Sequence, residues 1–163
     1  MQANISWQNA RHSATILLLC CLTLGGCIRP EGVQPAPSPT QPVISVAGRY
    51  DTAVTLVENN CGPITVEPML TEVTQEPGQT QLLLSHAGNH FNGTLAPDAT
   101  FATKPLILRG GGATYTVTIT GQFALTGFAA LTTVAVQQTV KPQNCQYRVR
   151  WVGTKQGKPN IIP

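Results

Sequence analysis

Charge is scarce in this chain. Asp, Glu, Lys and Arg together make up 10% of its 163 residues, against roughly 25% in an ordinary soluble domain. The formal net charge is +3 with no cluster of Lys or Arg, which argues against a nucleic-acid partner. Apolar periodicity of 3.6 residues is missing beyond the N-terminal region, so no amphipathic helix is expected. There is no Gly-x-Ser-x-Gly turn and no recognisable Ser-His-Asp or Cys-His arrangement, so nucleophilic catalysis has no visible seat. The carboxylates Glu31, Asp51, Glu58, Glu67, Glu72, Glu76 and Asp98 form no pair of the kind glycoside hydrolysis needs. Gly110-Gly111-Gly112 precedes a strand pattern, whereas a phosphate cradle needs a following helix. It reads as a hairpin turn. These absences leave no cofactor and no enzyme activity to expect.

What is present is threonine, glycine and alternation. β-Branched Thr suits a pleated surface and supplies polarity without charge. Along Arg49–Val57, Tyr50, Thr52, Val54 and Leu56 share one side. Along Ala113–Phe123, Tyr115, Val117, Ile119 and Phe123 share one side and a row of threonines the other. The last strand, Gln146–Val152, puts Tyr147, Val149 and Trp151 inward and Arg148 and Arg150 outward. Period two with one apolar face is the mark of a half-buried antiparallel strand. Further strands fall at Leu70–Gln75, Thr80–His86, His90–Leu95, Thr100–Thr103 and Phe128–Gln137. Leu106–Arg109 continues Thr100–Thr103 past Pro105, and Ala87-Gly88-Asn89 reads as a three-residue hairpin loop.

About eight strands with short connections predict an all-β fold, an antiparallel up-and-down barrel over residues 45–155. Closure also removes the sheet edges that would otherwise invite pairing with another chain. A β-sandwich is the alternative. Against its immunoglobulin-like form, Cys61 and Cys145 are far apart in sequence and no Trp follows Cys61 at a suitable distance. Residues 156–163 read as a C-terminal tail.

The N-terminus carries an address. Polar residues ending in Arg11 and His12 precede the apolar run Ala14–Leu24, which is shorter than the roughly 20 residues a bilayer span needs. It fits the core of a secretory signal. Leu24-Gly25-Gly26-Cys27 follows. An aliphatic residue, two small residues and a cysteine in this position resemble the lipobox of bacterial lipoproteins. The resemblance implies a signal peptide over 1–26, cleavage after Gly26 and lipid on Cys27. It places the product in a bacterial cell envelope, with a membrane as its partner through that lipid. Ile28 stands where an Asp commonly retains such proteins at the inner membrane, which favours the outer membrane in a Gram-negative source.

Residues 27–44 then form the lipidated cysteine and a tether. Pro30, Pro35, Pro37, Pro39 and Pro42 forbid a helix or a central strand and favour extended polyproline-like conformations. Of five cysteines, only Cys61 and Cys145 lie beyond the N-terminal region. An even pair in an oxidising compartment is expected to form a disulfide.

The opening Gly48-Arg49-Tyr50 resembles that of lipocalin-like barrels, where Gly-x-aromatic starts the first strand. The resemblance implies a basic residue near the last strand packed across that aromatic, with Arg148 and Arg150 the candidates. The aromatic set Tyr50, Tyr115, Phe123, Phe128, Tyr147 and Trp151 is either core or the lining of a ligand cavity. His86 and His90 flank one hairpin, where paired strands would let them face each other. Two histidines fall short of the three or four ligands a metal needs, so no metal is expected. The function expected is a non-catalytic envelope lipoprotein whose β-domain makes protein or surface contacts. The alternative is a carrier of a small apolar ligand. A metal-dependent enzyme using the two histidines is the remote third.

Overall fold

The computed structural model describes residues 43–139 and 144–163. Cys27, the signal segment and the proline-rich tether up to Pro42 lie outside the described residues. Nine strands follow in order: β1 Gly48–Asn59, β2 Met69–Gln75, β3 Gln81–His86, β4 Asn89–Leu95, β5 Thr100–Thr103, β6 Leu106–Gly110, β7 Ala113–Ala124, β8 Gly127–Gln138 and β9 Asn144–Lys155. No helix occurs among the described residues.

Every pairing is antiparallel. Neighbours run β5-β4-β3-β2-β1-β9-β8-β7, and β5 pairs with β7 to close the ring. The result is an eight-stranded barrel plus one extra strand, as the alternation predicts, and not a sandwich. The extra strand arises at Lys104-Pro105. β5 pairs with Thr120–Gln122 of β7, and β6 pairs with Ala113–Val117 of the same strand. The two therefore lie in series beside β7, interrupted where proline cannot donate to the ladder. Thr103 Oγ1 accepts from the Ile119 amide at 3.0 Å, and this covers the break.

Two local features depart from simple alternation. The β3–β4 loop has two residues, because His86 pairs with Asn89. Ala87 and Gly88 both have positive φ, 49° and 73°, which is the type I′ geometry that matches strand twist. In β1 the register against β9 slips between Leu56 and Glu58. This bulge turns Glu58 off the inward face that period two would assign it. It meets Arg148 at 2.9 Å on the outside instead.

The core fills one half of the barrel. Tyr50, Phe101, Phe123 and Phe128 form an aromatic cluster with ring centroids 4.8 to 6.3 Å apart. Close backbone approach makes room for it. A Cβ on Gly153 would sit 2.2 Å from the Phe128 ring, and one on Gly127 would sit 1.9 Å from the Gly153 carbonyl oxygen. Only glycine fits at either place. Segments outside the strands seal this end. Ser45 and Ile161 exchange backbone hydrogen bonds of 2.8 and 2.9 Å, and Val46 and Asn160 are buried. The segment after Lys155, read from sequence as a tail, is thus part of the plug.

Candidate functional site

The plug is built on a buried polar knot. The Tyr50 hydroxyl lies between the Val46 carbonyl and Asn160 Oδ1. Lys155 Nζ donates to the same Oδ1 and to the Ala47 carbonyl. Asn160 Nδ2 donates to the Ala124 and Gly127 carbonyls at 2.7 and 3.2 Å. Burial pushes the Tyr50 pKa up and the Lys155 pKa down. Lys155 Nζ also stands 5.5 Å from the Tyr50 ring centroid, within range of a cation–π contact. The basic residue across the first-strand aromatic is therefore Lys155, not Arg148 or Arg150. Arg148 pairs with Glu58 outside, and Arg150 is exposed. Lys155 keeps the inward parity of Trp151 and Gly153, so carrying the alternation two residues further would have found it. No sequence signal marked Asn160.

The other half of the barrel is different. A cavity of about 280 Å³ lies between Val54, Phe91, Leu108, Val134, Tyr147 and Trp151, with Glu67 and Met69 at its lip. The loop carrying Val66 and Glu67 starts at Cys61, which is bonded to Cys145 on β9 with Cα atoms 5.0 Å apart. The predicted disulfide thus ties the β1–β2 loop to the barrel wall beside the mouth. A second hollow, of about 390 Å³, lies between the disulfide, Tyr115, Tyr147 and the Gly111-Gly112 turn.

One polar chain crosses the wall of the cavity. Thr52 Oγ1 and Thr71 Oγ1 are 2.7 Å apart, and Thr71 Oγ1 is 2.9 Å from His86 Nδ1. The His86 ring lies against Trp151 with centroids 4.1 Å apart. Burial lowers its pKa, so the neutral imidazole is the form held near pH 7. With Nδ1 committed to Thr71, Nε2 has no protein partner among the described residues. Thr132 Oγ1, in the same wall, is buried without a hydrogen-bond partner.

The aromatic set of the sequence divides between the two ends. Tyr50, Phe123 and Phe128 belong to the closed-end core, whereas Tyr147 and Trp151 line the cavity and Tyr115 lines the hollow above it. The two histidines do not meet. His86 pairs in register with Asn89, and His90 pairs with Ser85. His86 therefore faces inward, and His90 is exposed with Nδ1 2.9 Å from Ser85 Oγ. They occupy opposite faces because successive side chains alternate across a sheet. No cluster of three His, Cys, Asp or Glu side chains able to hold a metal occurs among the described residues. Parity would have placed His86 with Leu82 and Leu84, and His90 on the face opposite Phe91.

A closed antiparallel barrel with one plugged end and a cavity toward the other defines the class, and it is consistent with lipocalin-like barrels. The chain matches no protein-family model, no curated protein and no solved structure.

Proposed function

We propose that this chain is a non-catalytic, lipid-anchored envelope protein whose barrel binds a small, mainly apolar molecule at its open end. The observation that carries the reading is the cavity between Leu108, Val134, Tyr147 and Trp151. Eight-stranded barrels are wide enough to hold one small ligand or to be filled by side chains. At about 280 Å³ the space falls just below the usual range of ligand pockets, roughly 300 to 1,000 Å³, and suits a small occupant. Its lining is mainly apolar with a few polar groups, the usual composition of such sites. The lipobox-like Leu24-Gly25-Gly26-Cys27 supports the anchor.

Native mass spectrometry of gently purified protein should show an added mass that a Leu108→Trp variant, with an indole across the mouth, does not retain. A chain with no adduct, and with Trp151 emission indifferent to added apolar probes, would remove the reading. For the anchor, Cys27→Ala should move the protein from the membrane to the soluble fraction. Unchanged fractionation would refute it.

The protein-contact reading has one supporting feature. Among the described residues β6 pairs only with β7, and it carries Ile107, 59% exposed. An unpaired edge is a place where another chain adds a strand. Crosslinking from residues placed on β6 tests it, and recovery of no partner would dispose of it.

A further inference from the structure

We infer that the cavity selects uncharged, mainly apolar molecules bearing a neutral hydrogen-bonding group and rejects anions such as carboxylates. This rests on the cavity-binding reading above and adds the chemistry of the occupant.

Three observations carry it. The lining has no Lys or Arg, and its one charged side chain is acidic, Glu67 at the lip. The basic residues of the neighbouring strands are turned away: Arg148 is held outside by Glu58, and Arg109 and Arg150 are exposed. The polar side chains offered to an occupant are uncharged: His86, on a ring fixed by Thr71 on one side and Trp151 on the other, with Asn89, Thr132 and Tyr147 in the same lining. A neutral imidazole nitrogen exchanges one hydrogen bond with a hydroxyl, an amine N–H or a carbonyl, according to its tautomer. It cannot neutralise a carboxylate. An anion entering here would lose its water without gaining a counter-charge, which is costly, and would pass the Glu67 carboxylate on the way. Phenols, indoles and small alcohols or ketones meet these requirements. Fatty acids do not.

The test uses two probes with one body. Phenylnaphthylamine is neutral and carries one N–H, and anilinonaphthalene sulfonate adds a permanent negative charge. Binding to the purified full chain carrying Trp7→Phe is read by quenching of Trp151, then its one tryptophan, so that adsorption elsewhere does not count. The neutral probe should bind at least about ten-fold more tightly than the sulfonate. Glu67→Lys, at an exposed lip position, should narrow that ratio several-fold without altering the fold. His86→Leu should weaken the neutral probe about five-fold, the worth of one hydrogen bond. Equal affinities, a tighter sulfonate, or a ratio indifferent to Glu67→Lys would overturn the selectivity and leave the cavity reading standing. Quenching by neither probe would overturn both.

Discussion

At one end of the barrel Tyr50, Phe101, Phe123 and Phe128 fill the interior, and every polar group of Tyr50, Lys155 and Asn160 has a partner. Along the same strands at the other end, His86 keeps a nitrogen without a protein partner, Thr132 keeps an orphaned hydroxyl, and a cavity remains. The closed end spends terminal segments on its plug, and among the described residues the other end carries a disulfide-tied loop over its mouth. A saturated polar network in a tight aromatic core stabilises one conformation. Incompletely satisfied groups beside a cavity lower stability and leave a place for a ligand. The saturated core and the cavity are thus separated along the barrel axis.

The contrast can be broken from either side. Replacing Cys61 and Cys145 together by Ser should cost about 2–5 kcal/mol, the usual range for removing a native disulfide. Urea unfolding measures the loss, and faster amide exchange in residues 62–68 should show that it is felt at the open end. Undisturbed exchange there would sever the loop from the disulfide. At the closed end, Gly153→Ala should cost about 3 kcal/mol, because the new methyl collides with the Phe128 ring. A midpoint unchanged from the parent would show that the aromatic cluster is loosely packed. Tyr50→Phe should cost about 1–3 kcal/mol, since whichever buried acceptor takes the one hydroxyl proton, the Val46 carbonyl or Asn160 Oδ1, loses that donor. Thr132→Val should do the reverse and stabilise by about 1 kcal/mol, since it deletes a buried hydroxyl that nothing satisfies. If the Val variant is less stable instead, Thr132 is not an orphan in solution.

The smallest effect is a pH dependence. Burial lowers the folded pKa of His86 below its ordinary 6.5. The unfolded chain therefore binds the proton first as acid is added, and stability falls as pH drops from about 6.5 through the folded value. Urea midpoints at pH 7 and pH 5 should differ in that direction, and His86→Phe should flatten the difference. A slope that survives the substitution would assign the dependence to other groups.

Much of the closed barrel was legible in alternation. Tyr50, Thr52, Val54 and Leu56 share a face in β1 as period two requires, and so do Tyr115 through Phe123 in β7. Where the local pattern fails, a three-dimensional cause is visible. Glu58 leaves its expected face because a bulge intervenes, and Thr100–Thr103 and Leu106–Gly110 separate because proline interrupts the ladder. The paired histidines were misplaced for a simpler reason. A three-residue loop would have let them face each other, but a two-residue turn fixes them on opposite sides.

Residue order alone determined most of the strands and inward faces and the pairing of Cys61 with Cys145, because these depend on period two, on turn residues and on an even count of available thiols. Only the tertiary structure decided which inward residues are core and which line a cavity. That depends on how far along the axis the terminal segments reach. Asn160 and Val46 come from opposite ends of the domain to fill one mouth, and nothing in either local sequence states that the other mouth stays open.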